Sequence, residues 1–380
     1  MKKIIIFTIC LLLLVSSLPS FAIDDTKTTE LPKTLELSLK QAIEYAIKNN
    51  KDLKVHEADI KKSKVTYDEE MKKIDKFNKM SPYDKKWMPY IERKKFTNGL
   101  IKKNADLALK KSKWNKALRE NEIKYNVEKY YYDLLQSKKN LNISKENLEL
   151  SKKQYEQSKK KFDLGKISHQ QLLSMELSLS TAESKYNESL LKYNLTKLDF
   201  NKILGIPLTQ NIVLTDKIEY NMHLIYKIDD EIKKALEMKP IIKLYEEKYE
   251  VERRMLVSID ARYPKENSNY QKQLVITEEI KSDLEKAKVD VKMEIRSSYL
   301  RLISSKKHID RYRLNVQKAE KNLELAELGY KVGESTPNDI TKARIDFMNA
   351  KKDLAEQIYK YNLALLDFKY SIGIGKNQLP

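Results

Sequence analysis

Residues 192–206 read KYNLTKLDFNKILGI, and residues 360–374 read KYNLALLDFKYSIGI. The two stretches end a longer match, in which residues 121–206 align without a gap with residues 289–374, 168 positions later. Self-similarity at a fixed spacing is the signature of a repeated structural unit. The chain is therefore predicted to be a tandem duplication. Other residues that coincide in this register are Tyr131 with Tyr299, Leu134 with Leu302, and Gly165 with Gly333.

A weaker match extends the duplication towards the N-terminal side of each copy, at a spacing of 189 residues. The residues that coincide there are Ile43, Ala46 and Leu53 with Ile232, Ala235 and Ile242. The first copy is thus longer by the difference between 189 and 168, which is 21 residues. We expect this insertion between its first two long helices, in residues 77–104, where the second copy has the shorter join 261–277.

The periodicity within each copy is that of a supercoiled helix, because apolar and small residues recur in alternating steps of three and four. In the first copy they are Leu172, Met175, Leu179, Ala182, Tyr186, Ser189, Tyr193, Thr196, Phe200 and Ile203. Residues 340–371 repeat the pattern. Residues 103–161 contain neither Pro nor Gly, and they predict one helix of roughly 85–90 Å. Residues 170–203 and 338–372 predict helices of about 50 Å.

The composition leaves little room for strands and tight turns. The chain of 380 residues has 7 Gly and 9 Pro, against roughly 27 and 19 at average usage. Most all-β and nucleotide-binding architectures are excluded by this shortage. The predicted fold class is all-α, with long antiparallel coiled-coil hairpins in two tandem repeats.

Each repeat is expected to bend at a defined tip. The first tip is FDLGKIS at residues 162–168, and the second is YKVGESTP at residues 330–337. A glycine can end the incoming helix in a left-handed cap, and Ser or Thr can cap the outgoing one. The tips are the turns that both copies share, and they project from rods, so we predict that they dock a partner. The predicted docking residues are Leu164, Gly165, Ser168, Val332, Gly333 and Thr336.

The first 22 residues have the features of a secretory signal peptide. Lys2 and Lys3 precede an apolar run over residues 4–15, and the stretch closes with Ser20-Phe21-Ala22. We expect secretion across the cytoplasmic membrane. The domain boundaries predicted from these patterns are a signal peptide at 1–22, a tail at 23–36, the first repeat at 37–207, a linker at 208–227, the second repeat at 228–375 and a tail at 376–380.

The residue inventory argues against an enzyme, a cofactor or a metal site. His56, His169, His223 and His308 are isolated, with no second ligand at helical spacing. GIGK at residues 373–376 has Asn377 where a phosphate loop needs Ser or Thr, and it is more typical of the frayed end of the last helix. The 23 tyrosines fit core packing better than base stacking, so no nucleic-acid partner is expected.

The net charge of +19 comes from 74 Lys plus Arg against 55 Asp plus Glu. Removal of the predicted signal peptide takes Lys2 and Lys3 with it and leaves +17. A secreted rod of that charge would be attracted to anionic wall polymers or acidic headgroups. The alternative, which we favour, is a solvated helical surface, because the lysines are spread along the chain.

The sequence resembles the TolC, or outer membrane efflux protein, family. The residues that carry the resemblance are LSLKQAI at 37–43 followed by Asn49-Asn50, the turns ending Leu164-Gly165 and Val332-Gly333, the heptads beyond each tip, and LGIP at 204–207. The resemblance implies a homotrimer in which six helical hairpins close into a hollow α-helical barrel. It also implies a passive exit duct whose tips dock onto a membrane-fusion adaptor and an ABC-type or other pump.

The sequence departs from the family pattern where family members insert two β-strands in each repeat. Spanning strands need about 9–11 residues each with apolar and polar residues alternating, and only nine polar residues, 265–273, follow Pro264. The longer first join is interrupted by charges between Lys85 and Lys95. The predicted protomer is therefore TolC-like without a substantial transmembrane β-barrel. We expect it in the cell envelope or the wall space, and an outer membrane location is doubtful.

The resemblance also suggests one entrance-lining residue. Family members carry acids on the inner helix after the second tip, and Asp339 matches the first of them, whereas Lys342 stands where the second would be. The alternative is that Asp339 interacts with the dipole of its own helix. Two functions stay open at this point, a transport duct and a non-conducting coiled-coil scaffold of the wall space.

Overall fold

The computed structural model describes residues 34–216 and 226–380. The predicted signal peptide, most of the predicted tail at 23–36 and part of the predicted linker lie outside the described residues. Within the described ranges the chain is almost entirely helical, so the all-α class is confirmed. No helix in these ranges is long and apolar enough to cross a membrane.

Ten helices and two short strands make up the described ranges. The helices of the first half are α1 (Leu39–Asn49), α2 (Lys51–Lys79), α3 (Pro82–Trp87), α4 (Tyr90–Thr97), α5 (Leu100–Asp163) and α6 (His169–Leu204). Those of the second half are α7 (Ile228–Met238), α8 (Pro240–Asp260), α9 (Ser268–Val332) and α10 (Pro337–Ile372). The strands β1 (Leu35–Leu37) and β2 (Ile212–Leu214) pair in parallel, with Leu35 opposite Ile212.

The long helices form two antiparallel hairpins, α5 with α6 and α9 with α10. The hairpins join through α10 and α5, so the row of long helices is α6, α5, α10, α9. Helix α2 lies along α5, and α8 lies along α9 and also contacts α5. The predicted seam is buried or half-buried in each hairpin, with Phe200 and Phe368 both fully enclosed.

Each half of the chain has its own main core. One consists of residues between Leu37 and Ile212 and is centred on Tyr131 and Phe200, whose rings meet edge to face at 5.9 Å. The other consists of residues between Ile232 and Phe368, and it includes Tyr361. The predicted domain limits near residues 207 and 228 stay predictions, because the α5–α10 contact makes the two halves one continuous bundle.

The two joins at the far end from the tips differ in length and content. Residues 80–99 hold the short helices α3 and α4, whereas residues 261–267 form a short connection without a helix between α8 and α9. Within the described ranges neither join contains a strand.

The expectation of a frayed C-terminal end was wrong. Helix α10 ends at Ile372, and the residues that follow turn back over α5 and α8. The backbone N–H of Leu379 donates to Asn115 at 2.9 Å, and the amide of Asn121 donates to the carbonyl of Gly375 at 3.0 Å. The tail is ordered because the Leu379 side chain fills an apolar groove. The groove is formed by Leu107, Leu118 and Leu244.

Candidate functional site

The first tip is a closed helical cap followed by a capped helix. Gly165 has a φ of +68°, and its N–H donates to the carbonyl of Phe162 at 2.8 Å. Lys166 N–H reaches back to the carbonyl of Lys161, also at 2.8 Å, so the last carbonyls of α5 are satisfied. Ser168 then caps α6 and exchanges hydrogen bonds with Gln171. The predicted roles of Gly165 and Ser168 as capping residues agree with this geometry.

The second tip has the same construction with different side chains. Gly333 has a φ of +86°, and the N–H of Glu334 donates to the carbonyl of Gly329 at 2.8 Å. Thr336 caps α10 and exchanges hydrogen bonds with Asp339. Leu164 in the first tip and Val332 in the second are both strongly exposed. The structure therefore presents one exposed apolar side chain at each tip.

Side-chain contacts between the hairpins bring the two tips to the same end of the bundle. Lys161 donates a hydrogen bond to the hydroxyl of Tyr330 at 2.5 Å, and its ammonium lies 4.1 Å from the centre of that ring. Thr341 of α10 meets the sulfur of Met175 of α6 at 4.0 Å. A cleft of about 500 Å³ lies between the hairpins behind these contacts.

Arg344 is a buried charge that borders this cleft. Its guanidinium donates to Glu327 at 3.2 Å, while its Nε has no hydrogen-bond partner among the described residues. Burial lowers the pKa of Arg344, and the hydrogen bond that it donates to Glu327 opposes that shift. This pair ties α10 to α9 just behind the second tip.

Asp339 lies in the first turn of α10 and closes a capping box with Thr336, the cap residue. Its Oδ2 accepts hydrogen bonds from the N–H of Thr336 at 2.8 Å and from the Thr336 hydroxyl at 2.7 Å. The hydrogen bond from the Thr336 backbone N–H, and to a smaller extent the one from the Thr336 hydroxyl, holds the pKa of Asp339 below its ordinary value. Asp339 is thus an ionised helix cap in the protomer, and its role at an entrance stays a prediction.

The contact between α5 and α10 is built from tyrosine–carboxylate and lysine–carboxylate pairs. The Tyr359 hydroxyl donates to Asp133, and the Tyr125 hydroxyl donates to Asp367 at 2.7 Å. The buried carboxylate of Glu128 accepts from the Tyr370 hydroxyl at 2.8 Å. The lysines in the contact are Lys369, which pairs with Glu128, and Lys351, which pairs with Glu146.

Burial dominates the electrostatics of this contact. It raises the pKa of Tyr125, Tyr359 and Tyr370, and neighbouring carboxylates act in the same direction. Burial also raises the pKa of Asp133, against the hydrogen bond from Tyr359. The tyrosines therefore stay protonated and act as hydrogen-bond donors across the contact.

The positions that form this contact have counterparts 168 residues away that face solvent in the isolated chain. On α10 Leu366 is 3% exposed, whereas its counterpart Leu198 on α6 is 38% exposed. Helix α9 shows the same contrast, since Met293 is 68% exposed, while its counterpart Tyr125 on α5 is half-buried. We call these surfaces the α6 face, with Leu191, Leu195 and Leu198, and the α9 face, with Val289, Met293 and Leu300.

Reasoning from the sequence missed the residues that join the hairpins. Lys161 with Tyr330, and Tyr359 with Asp133, are separated by 169 and 226 residues, and no periodicity signals such pairs. One signal existed for Arg344. In the 168-residue register Glu327 corresponds to Lys159, and Arg344 corresponds to Glu176. Each repeat thus has one acid and one base at these two positions, in opposite order.

Curated proteins similar in sequence match only part of the chain. The outer membrane protein TolC of Salmonella enteritidis and that of Escherichia coli strain K12 are each 34% identical to it over 90 residues. The match covers 24% of this chain and 18% of each relative, so the chain spans less than a fifth of their length. No protein-family model matches the chain.

Solved structures match nearly the whole chain. The CmeC outer membrane channel of Campylobacter jejuni has a TM-score of 0.69 at 16% identity, over 90% of this chain and 86% of CmeC. The outer membrane protein VceC of Vibrio cholerae has a TM-score of 0.69 at 12% identity, over 89% of this chain and 97% of VceC. The chain has the TolC-type fold. The resemblance to the TolC family is confirmed in this respect, and the doubt about an outer membrane gains no support, since these proteins with a TolC-type fold are outer membrane proteins.

Proposed function

We propose that the chain is one protomer of a ring-shaped efflux or export duct of the cell envelope. The observation that carries the proposal is the pair of exposed faces on α6 and α9. The exposed positions on α6 correspond to positions on α10 that face α5. Those on α9 correspond to positions on α5 that face α10. The α9 face of one protomer would therefore pack on the α6 face of the next, as α5 packs on α10 within the chain.

Such a contact is head to tail, and a head-to-tail contact closes into a ring when its rotation permits. Every protomer adds the same row of four long helices, so the closed row encloses a lumen lined by helices. The resemblance to the TolC family gives the number of protomers as three, with six hairpins around the lumen. The helices are long enough for a duct, since α5 with 64 residues spans about 95 Å.

The tips of all protomers would then form one rim, where an adaptor would dock. The docking residues proposed include Leu164 and Val332 as exposed apolar contacts. The others are Gly165, Ser168, Gly333 and Thr336. Hydrogen-bonded caps hold each tip in one shape before a partner arrives, which lowers the entropic cost of binding. A membrane-fusion adaptor and an ABC-type or other pump are the partners that the resemblance suggests. Asp339, at the base of the second tip, would lie near the entrance.

The envelope location is supported by the predicted signal peptide and by the outer membrane proteins that share the fold. A non-conducting scaffold is not favoured by this likeness. Anionic wall polymers stay a secondary hypothesis that only the net charge supports.

The proposal is tested with the processed protein purified from cells that express the full chain. We expect a trimer in light scattering and a ring with a central lumen in projection images. In the source organism, deletion of the gene should raise retention of an exported fluorescent dye, and the wild-type gene should restore export. A monomer, or a solid bundle without a lumen, would contradict the proposal. Unchanged dye export after deletion would contradict the transport role.

A further inference from the structure

Positive charge is concentrated at the end of the bundle opposite the tips. We call residues 76–103 and 261–267 the basic cap. These residues comprise the end of α2, helices α3 and α4, the start of α5 and the turn after α8. They carry eleven lysines and arginines against three acids. The two tips, residues 155–175 and 323–343, carry six lysines and six acids. The charge of the basic cap therefore does not simply follow the average of the chain.

The basic cap is held in a defined shape by contacts with α2 and α8. The Tyr90 hydroxyl donates to the carbonyl of Ser258 at 3.0 Å, and the guanidinium of Arg262 lies 4.7 Å from the Tyr90 ring centre. The rings of Phe77 and Phe96 stack at 4.5 Å. Helix α4 thus packs against the ends of α2 and α8, and α3 lies outside it.

Helix α3 presents two large aromatic side chains to solvent. Trp87 is 73% exposed and Tyr83 is 68% exposed, and their rings meet edge to face at 6.0 Å. The same segment carries exposed lysines, among them Lys86 on the same helix and Lys95 on α4. Aromatic rings and lysines on one exposed surface are characteristic of segments that lie in the headgroup region of a membrane.

We propose that the basic cap binds the surface of an anionic lipid bilayer. Trp87 and Tyr83 would enter the headgroup layer, and the lysines around them would pair with lipid phosphates. A bilayer is favoured over a soluble polyanion. A polyanion would interact with the lysines alone, whereas a bilayer also offers an apolar layer that the two exposed rings can enter. The contact lies at the opposite end from the tips, and it does not depend on the proposed duct.

The first test measures binding of the processed protein, purified from cells that express the full chain, to vesicles of phosphatidylcholine with and without phosphatidylglycerol. We expect co-sedimentation with the anionic vesicles alone, and its loss in about 1 M salt, where charges are screened beyond about 3 Å. Equal binding to both kinds of vesicle, or to neither, would overturn the proposal.

The second test locates the contact by fluorescence. The chain has two tryptophans, and Trp114 packs in the apolar cluster of Leu107 and Leu118. In a Trp114→Phe variant the emission reports Trp87 alone. We expect a blue shift, and quenching by brominated lipid, when anionic vesicles are added. Unchanged emission with vesicles bound would show that another surface makes the contact, and the proposal would be wrong.

Paired substitutions at the two ends of the bundle provide matched controls. Lys86→Gln with Lys95→Gln should weaken vesicle binding roughly fivefold for each lysine, whereas Lys159→Gln with Lys160→Gln near the first tip should not. Tyr83→Ser with Trp87→Ser should weaken it further, and Leu164→Ser with Val332→Ser should leave it unchanged. Equal losses from both ends would overturn the proposal. Full binding by the Tyr83 and Trp87 variant would identify a charge-only polyanion contact and would also overturn it. If that variant does not fold, the lysine variants and the Trp87 emission still decide.

Discussion

Leu366 is buried on α10, close to Asp367 and Tyr370, which hydrogen-bond to α5, whereas Leu198, at the same position of the other repeat, is more than a third exposed. Both leucines lie near the C-terminal ends of equivalent helices. The difference arises because α5 is a neighbour of α10, whereas no equivalent helix among residues 34–216 and 226–380 lies along that side of α6. In the proposed ring, a second copy of the chain would pack on the exposed leucine.

This relationship predicts opposite effects for one substitution at the two positions. Leu366→Asp buries a carboxylate inside the protomer and should lower its free energy of unfolding by about 3 kcal/mol or more. Leu198→Asp should leave the folded protomer intact and prevent assembly, since the charge would be buried only in the oligomer. Thermal unfolding and light scattering separate the two effects.

The control for assembly is Lys192→Asp, on the same helix. Its counterpart Lys360 is 53% exposed on α10, so Lys192 should lie outside the contact. We expect this variant to assemble like the wild type. Dissociation by Lys192→Asp as well as by Leu198→Asp would mean that charge anywhere on α6 disrupts the oligomer.

The hydrogen bond from Tyr359 to Asp133 predicts that Tyr359→Phe lowers the free energy of unfolding by an amount that depends on pH. Burial raises the pKa of Asp133 above its ordinary value of 3.8, and Tyr359→Phe removes the donor that opposes the shift. The substitution should cost about 1 to 3 kcal/mol at neutral pH. The cost should shrink as the pH falls through the raised pKa, because a protonated Asp133 needs less support.

Unfolding measured from neutral pH towards pH 4 tests this prediction. In the Asp133→Asn background the cost of Tyr359→Phe should be the same at every pH, since no carboxylate titrates there. A constant cost with Asp133 present would show that the hydrogen bond does not control the ionisation of that carboxyl.

The buried Arg344 predicts an asymmetry between the two members of its ion pair. Glu327→Gln leaves the guanidinium without a counter-ion, and it should lower stability by about 1 kcal/mol, because Glu327 is 48% exposed and screened. Arg344→Met removes the buried charge at similar length and should be neutral or stabilising. Glu327→Gln should have no further effect in that background. Urea unfolding measures all three variants, and a large loss from Arg344→Met would contradict the prediction.

The tip glycines predict a specific loss of docking. Gly165 and Gly333 have positive φ angles and open space around the missing Cβ, so valine there strains the backbone without a steric clash. The double valine variant should lose binding to a membrane-fusion adaptor from the same organism. Asparagine tolerates this conformation better, so the double asparagine variant should keep binding.

Gly99 provides the matched control for strain, because its φ is +67° and it lies at the other end of α5. Gly99→Val should leave adaptor binding unchanged in a co-purification assay. Full binding by the double valine tip variant would argue against the tips as the docking surface.

The repeat and the tips could be predicted because their signals are local or periodic. The heptad from Leu172 to Ile203 lies within α6, and Gly165 and Ser168 form caps whose partners are within five residues. Tyr359 and Asp133 could not be paired in this way, since the chain places 226 residues between them. The order at Leu379 was missed for the same reason, because its groove is formed by α5 and α8.

The amino-acid sequence by itself determined that this protein is a duplicated pair of long helical hairpins, since helix periodicity and capping depend on residues close in the chain. Only the tertiary structure decided which copy of each repeated surface is covered. Leu198 and Leu366 are the same residue at equivalent positions of the two repeats, so the sequence alone cannot tell which of them is buried. Their burial differs because packing depends on which helix lies alongside. Helix α10 has α5 beside it, while the part of the chain that the structure describes places no helix along the matching side of α6.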